Sequence, residues 1–465
     1  MERVTAHPGL GLGIVQSNCA RVARGGGSMT SEVMLLNVQG GALAADSALT
    51  AIEYHDDGTA TVRYQTGVDK VFLLEPKMPV AAMIFDVAEF YRYPWASIFE
   101  AFKTSVPSRG DTVQKVAQSL VGFLARWTSG VDSKAQKLLP LDEGQERLNF
   151  AIYIAALVQR FQQCVELSGD GKPTRPDGVR ITRALDMLRF ETQYSGDYFQ
   201  NLFLPLGQPS RKRPLIGESS NRLVKLIGEY MERLVGGMTD SVFGDGVVPQ
   251  TSKSLLAEIA VGSCLTDWMP PGVPKTGIVF AGFGTDELRP SYVDIRVGSA
   301  FAGLVKYQLV ASGAPTNGEP AIIQSYAQAD LIDALLRGAQ PGYKYVLFQL
   351  MRQGIGSLLN AISNEVGKKD PGLAKAVLQT FDQAPLAVSR AILMAGDDIA
   401  KHAIEMRVAD VVNSASPDLL ADYATKLVVL SVIEHELTGS QSVAQPILAI
   451  RLNKGQAEWL RHKMG

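Results

Sequence analysis

The sequence has few of the residues that build covalent or metal-centred frameworks. Three cysteines, Cys19, Cys164 and Cys264, are scattered over 465 residues. Their number and spacing exclude a disulfide scaffold and a CxxC metal site and match a reducing compartment, so a cytoplasmic location is expected. Five histidines form no HExxH or other paired ligand spacing, and neither a metal nor an organic cofactor is expected. Charge of one sign is missing too. Lys and Arg number 45 against 47 Asp and Glu, a net charge of -2, without the basic face that nucleic acid requires. Long apolar runs are absent, and a stretch such as Ala151 to Val158 falls far short of the roughly 20 residues of a membrane-spanning helix. Nucleic acid and membrane are therefore not expected as partners.

The first residues add two further absences. Gly9 to Val15 is short, broken by glycine and followed by polar residues and arginines, so it lacks the core of an export signal. The same glycines have neither a preceding strand nor a GK[ST] ending, which leaves a phosphate loop without its fingerprint. Regular patterning begins only after Arg24-Gly25-Gly26-Gly27-Ser28, at Met29-Thr30. Met29 is accordingly expected to be the physiological start, or residues 1–29 to be a removable leader.

From Thr30 onward the pattern runs sheet, helices, sheet, helices and a closing strand. Apolar runs at 33–38 and 42–45 flank Gln39-Gly40-Gly41 and predict two antiparallel strands joined by a turn, with further strands at 59–64, 71–74 and 80–85. Helical periodicity takes over from Val87 and continues through 112–127, 148–167, 181–194 and 220–235. Strands return at 277–283, 291–297 and 304–310, and a helix is expected from Ser325 to Leu336. Residues 343–412 are again helical, Ser416-Pro417-Asp418 is a capped helix start, and 446–452 is a strand. The order predicts one α/β (α+β) core in three parts, 30–130, 255–340 and 413–465, into which two helical insertions, 131–254 and 341–412, are set.

Three residues stand out in the first part. Thr30 precedes the first strand, Asp46 ends the second in Ala44-Ala45-Asp46-Ser47, and Lys70 opens a later strand in Asp69-Lys70-Val71-Phe72. Singly, each has an ordinary reading as a turn former or a solvated charge. Together, with Thr30-Ser31, the Gly40 turn and the sixteen-residue step from Thr30 to Asp46, they resemble the catalytic β-subunits of the proteasome and the bacterial proteasome-like peptidases, which are N-terminal nucleophile (Ntn) hydrolases. The hairpin carrying His55-Asp56-Asp57-Gly58 is longer than usual in that family. The likeness extends to Thr276–Asp294, to the segment around Gln324-Ser325-Tyr326 and to Glu434–Val443. It covers about half of the chain, and the two helical insertions have no counterpart in it.

The resemblance implies a four-layer αββα sandwich and a threonine-type amide hydrolase, most simply a peptidase. Thr30, freed at a chain start, would be both nucleophile and, through its α-amine with a pKa of about 7.7, general base. Lys70 would lower the effective pKa of the hydroxyl and amine, and Asp46 would hold Lys70 charged. Oxyanion donors fall by resemblance on the backbone of Ile84, Phe85 or Asp86, where the family usually has glycine. An auxiliary hydroxyl falls on Ser325, an auxiliary acid on Glu434 or Glu436, and a second hydroxyl on Thr438 or Ser440, although Thr438-Gly439 also reads as a plain helix C-cap. His435 reads as a surface or capping residue. A peptide or protein substrate, a homo-oligomer and an ATPase or other activator are the partners implied. An Ntn amidohydrolase of small amides and a non-catalytic scaffold are the competing readings.

Overall fold

The computed structural model describes residues 30–54, 60–65, 67–75, 78–91, 93–103, 112–129, 143–168, 176–193, 221–301, 304–327, 330–337, 341–381, 384–400, 403–404, 406–438, 443 and 445–462. Residues 1–29, the loop 55–59 and Ser440 lie outside them.

Strand β1 (Ser31–Asn37) is buried at every position, which is why its sequence reads as an apolar run rather than as an alternation. It turns into β2 (Gly40–Ala45) through Asn37. The Asn37 Oδ1 accepts from Gln39 N at 2.9 Å and Gly40 N at 3.1 Å, while its Nδ2 donates to the carbonyls of Val412 and Ala415 at 2.8 and 2.7 Å. Glycine at 40 is required by close approach, because a Cβ there would lie 2.4 Å from the Leu452 carbonyl oxygen and 2.8 Å from Pro417 Cγ. A hairpin of β3 (Leu49–Tyr54) and β4 (Ala60–Gln65) comes next, then β5 (Val71–Glu75), β6 (Met78–Asp86), the two-residue strands β7 (Glu89–Phe90) and β8 (Tyr93–Pro94), and helices α1 (Trp95–Lys103) and α2 (Val113–Thr128).

The first helical segment holds α3 (Glu143–Leu167), α4 (Gly178–Gln193), α5 (Asn221–Phe243) and α6 (Gln250–Cys264). Strands β9 (Thr276–Gly282), β10 (Ser291–Phe301), β11 (Leu304–Gly313) and β12 (Ala321–Ala327) come after it. The second helical segment is α7 (Asp330–Arg337), α8 (Pro341–Gly367), α9 (Pro371–Thr380), α10 (Ala384–Ala400) and α11 (Met406–Ser414). Helix α12 (Pro417–Thr438) and strands β13 (Ile447–Asn453) and β14 (Gln456–His462) close the chain.

Two five-stranded antiparallel sheets result, in the orders β12-β1-β2-β13-β14 and β11-β10-β9-β6-β5. Strand alternation sorts their side chains. Met34, Leu36 and Leu43 of the first sheet meet Val71, Met83 and Val279 of the second. On the other face of the first sheet, Val33, Leu35 and Ala44 pack against Leu420, Ala424 and Val428 of α12. On the other face of the second, Ile84, Phe280 and Ile295 pack against Trp95 and Phe99 of α1 and Leu120 and Phe123 of α2. The chain is thus a mixed α/β fold of antiparallel sheets with helices outside them.

The two helical segments differ in what they bury. Phe150, Leu157, Leu188, Val235 and Leu256 form a core of the first segment's own, joined to the second sheet through Phe301 and Leu304. Helix α9 buries none of its side chains, and Leu350, Leu358 and Ile399 of its neighbours are exposed.

Several expectations need correction. Residues 321–327 are a strand, so Ser325 sits inside β12 and the helix begins only at Asp330. Helix α6 runs across the expected boundary at 254/255, and α11 runs across the one at 412/413, because Val412 belongs to the core under α12. Strands β3, β7, β8 and β14 are additional to those the sequence pattern predicts, and the helix expected from Val87 begins only at Trp95, after the short β7–β8 pair. The polar sequence of β14 suits an edge strand, and its only strand partner among the described residues is β13. The helix start at Ser416-Pro417 is as expected, with Ser416 Oγ accepting from Leu419 N at 3.4 Å.

The packing makes a stability contrast measurable. Leu43→Ala, which empties a fully buried site between the sheets, is expected to cost about 2–5 kcal/mol. Leu350→Ala, on a side chain 60% exposed, should stay within about 0.5 kcal/mol. Urea unfolding of both variants checks this, and equal losses would contradict the burial described.

Candidate active site

The site is built by the pairing of β1 with β2. Glu32 stands opposite Ala45 in the register, so the residue after β2 falls beside the residue that opens β1. Asp46 N donates to the Ser31 carbonyl at 3.1 Å, and Ser31 N donates to Asp46 Oδ1 at 3.0 Å. Ala48 N donates to Asp46 Oδ2 at 2.9 Å. Lys70 reaches the same carboxylate from the start of β5, with Nζ 2.6 Å from Asp46 Oδ1. Its backbone is pinned in turn, since Ile84 N donates to the Lys70 carbonyl at 2.8 Å. Asp46 is 0% exposed and Lys70 2%. A charge pair so deeply withdrawn from water is sustained only by close geometry and further hydrogen bonds. The Asp46 carboxylate has them, accepting from Ser31 N and Ala48 N as well as from Lys70 Nζ.

A fourth residue completes the group. Glu32 is 0% exposed, and its Oε1 lies 3.4 Å from Lys70 Nζ. Alternation along β1 places Thr30, Glu32, Met34 and Leu36 on one face, the face that meets the second sheet. Burial pushes the Glu32 carboxyl from 4.5 up to about 8, and the Asp46 charge adds to the rise, while Lys70 and the Thr30 side chain draw it back. Neither Glu32 oxygen closes a hydrogen bond of full geometry. The carboxyl is therefore a neutral acid over most of the physiological range, next to an ion pair that is already balanced.

Thr30, Asp46 and Lys70, singled out from the sequence, are thus gathered at one end of β1. Glu32 is not singled out by the sequence, because a charged residue beginning a strand reads as solvated. Its two-residue offset from Thr30 is the available signal.

The oxyanion candidates separate. Ile84 is withdrawn from the set, because its N–H is taken by the Lys70 carbonyl and its side chain faces α1 and α2. Phe85 points between the sheets, where its ring lies 5.0 Å from that of Tyr326 and 4.4 Å below the Arg296 guanidinium. Gly277 makes room for it: a Cβ there would sit 2.2 Å from Phe85 Cζ. Asp86 ends β6 with φ 69°, in the left-handed region. Beyond it Val87, Lys275 and Thr276 share a cleft with Asn149 and Ile152 of α3, so the first helical segment borders this end of the second sheet.

Of the auxiliary candidates whose side chains are described, Ser325, Glu434 and Glu436 stand on the other side of the first sheet from Glu32. Ser325 pairs with Val33, which puts it on the helix-facing side of the sheet, opposite to Glu32. Glu434 and Glu436 lie near the end of α12, on that same side; Glu434 is half-buried and Glu436 exposed. Thr438 is the last residue of α12. Among the described residues, no three His, Cys, Asp or Glu side chains are grouped to hold a metal, and no helix is long and apolar enough to cross a membrane.

Comparison with known proteins adds no relative: no family model matches the chain, no curated protein matches it, and no solved structure matches its fold.

The Glu32 proton has a thermodynamic signature. Folded, the group keeps its proton up to about 8, whereas its ordinary value is 4.5, so the native state binds the extra proton between these values. The stabilisation is full below about 4.5 and is lost as pH rises toward about 8, at about 1.4 kcal/mol per pH unit. Glu32→Gln removes the titration. Urea unfolding at several pH values is expected to show wild type losing stability relative to the variant as pH rises through this window, and parallel curves would contradict a buried neutral Glu32.

Proposed function

We propose that the chain is a threonine-dependent amide hydrolase of the proteasome-like Ntn type, acting on peptides once Thr30 is the first residue. The observation that carries the reading is the buried Lys70–Asp46 pair, 2.6 Å apart and braced by Ser31 N and Ala48 N, at the end of β1 where Thr30 stands. The order of helices, sheet, sheet and helices agrees with the αββα sandwich of that family and supports the same reading.

In this mechanism the Thr30 Oγ attacks the amide carbonyl carbon and gives its proton to the Thr30 α-amine. The Lys70 cation favours the alkoxide over the hydroxyl, and Asp46 fixes the direction of Nζ. Of the expected oxyanion donors, the Ile84 N–H is taken by the Lys70 carbonyl, which leaves the backbone N–H groups of Phe85 and Asp86, paired in register with Gly277 and Thr276, as the candidates. The collapsing intermediate returns the proton to the leaving nitrogen. Water activated by the α-amine then hydrolyses the Thr30 ester. No metal or organic cofactor has a step in this reaction. A homo-oligomer and an activating ATPase belong to the same proposal by resemblance.

A second substrate class is favoured by one observation. Phe85, its ring packed against Tyr326 between the sheets, stands where the family usually has glycine, and a bulkier wall there suits a small amide better than a folded protein. A peptide panel set beside small amides separates the two.

The decisive measurement uses a chain that begins at Thr30, treated with a β-lactone or epoxyketone and weighed intact. One adduct is expected on wild type and none on Thr30→Ala. Lys70→Ala should slow labelling by about 100-fold or more. Absence of an adduct on a folded chain that demonstrably starts at Thr30 would point to a non-catalytic scaffold.

A further inference from the structure

The first helical segment has no counterpart in the family that the chain resembles, yet its helix α3 meets the second sheet beside the expected oxyanion donors. Strand β6 ends at Asp86, opposite Thr276 in the register, and the chain passes on through Val87. From there a cleft of about 100 Å³ opens between the end of the sheet and α3. Val87, Phe90 and Ile152 give it apolar walls, and Lys275 and Ser299 add polar groups. A cleft that encloses a whole small ligand measures roughly 300 to 1,000 Å³, so this one suits a single short substituent.

Charge is unevenly matched around it. Arg296, lying over the Phe85 ring, is bound to Asp294. Lys275 is half-buried, and its ammonium makes no hydrogen bond or ion pair to another described residue. Asp86 bears on it from beyond ion-pair distance, and burial together with the Arg296 charge still pulls the amine below its usual 10.5. Glu89, also on the cleft, is exposed to water. The neutral groups of the wall are engaged elsewhere: the Tyr91 hydroxyl donates to the Ala300 carbonyl at 2.9 Å, and Asn149 Nδ2 approaches the same oxygen at 3.5 Å. An ammonium drawn out of water without a partner gains most from an anion brought to it, through charge-assisted hydrogen bonds.

We propose that this cleft is a subsite for a carboxylate carried by the substrate, and that Lys275 is the residue that selects it. The inference rests on the reading of Thr30 as a nucleophile and gives that site a substrate class. The class is amides whose acyl part bears an acid group on a short aliphatic stem, as an aspartyl or glutamyl residue does. The acyl part is the one placed here because the carbonyl oxygen of a bound amide would lie at the N–H of Phe85 or Asp86, one or two residues before Val87 on the cleft wall. The stem then runs along the apolar walls toward the Lys275 ammonium and the Ser299 hydroxyl. Lys275 touches no reacting atom in this arrangement, so it acts on specificity and not on the chemical step.

The test uses a chain that begins at Thr30 and two β-lactones that are identical except at the end of a short acyl side chain, where one carries a carboxylate and the other the matching carboxamide. Intact mass followed over time gives both labelling rates, and their ratio on one sample does not depend on how much of it is folded. Wild type is expected to react about ten-fold faster with the carboxylate, the scale of one hydrogen bond to a charged group. That preference should vanish in Lys275→Ala, invert in Lys275→Glu and survive in Lys275→Arg. Equal rates for the two lactones on wild type, or a preference that persists in Lys275→Ala, would overturn the proposal while labelling by the carboxamide leaves the reading of Thr30 intact. Failure of either lactone and of the epoxyketone to label wild type would instead remove the reading on which the subsite stands.

Discussion

The Lys70–Asp46 ion pair is the contact around which this end of the molecule is organised, and it is costly to form. Removing an ammonium and a carboxylate from water carries a penalty of several kcal/mol for each ion, which their attraction offsets only at short range and with the remaining hydrogen-bonding capacity used. Three separate segments supply what is needed. The end of β2 carries Asp46, the start of β1 contributes Ser31 N, and the start of β5 brings Lys70 across from the other sheet. The pair therefore joins the two sheets at the same place where it positions groups beside Thr30. Glu32 adds a second carboxyl against a single cation, and burial resolves the imbalance by leaving the proton on Glu32.

That arrangement depends on the register of β1 against β2. Because side chains alternate, a slip of one residue would turn Glu32 toward α12 and Val33 toward Lys70. The register is pinned at both ends. At the turn, Asn37 binds its own loop and the carbonyls of Val412 and Ala415, while Gly40 admits β13 and Pro417 at distances that no side chain allows. At the other end the paired bonds between Ser31 and Asp46 close the ladder. Packing against α12 thus fixes the site from the far side of the sheet, about 20 Å along the strand at the usual rise per residue.

Much of this is legible in the residues. The runs at 33–38 and 42–45 with a glycine turn between them specify β1 and β2, and Asp46 and Lys70 stand out by their place at strand ends. Glu32 is not legible, because polarity at the edge of an apolar run signals solvent unless a partner from elsewhere is known, and the partner is 38 residues away at Lys70. Ser325 is misplaced by sequence periodicity for a related reason: Ala321–Ala327 carries Gln, Ser and Tyr within an apolar stretch and fits either period. Only pairing with β1 makes it a strand. The limits of the helical segments also come from tertiary contact. Helices α6 and α11 continue past the expected boundaries because Leu256 and Cys264 complete the first helical core and Val412 completes the core beneath α12.

Charge balance connects the start of the working chain to the state of Glu32. With Thr30 in peptide linkage, the group holds one cation and two carboxyls, and the neutral arrangement keeps the Glu32 proton. A free α-amine at Thr30 brings a second base, of ordinary pKa about 7.7, close to a carboxyl of about 8. Groups so matched share a proton, and the charged form of each favours the charged form of the other. On the proposed reading, a chain that begins at Thr30 would therefore hold Glu32 shifted from a neutral acid toward a carboxylate paired with the new ammonium. Buried acid and terminal amine would then titrate together as a pair, and the basicity of the amine would be set by Glu32 as much as by Lys70.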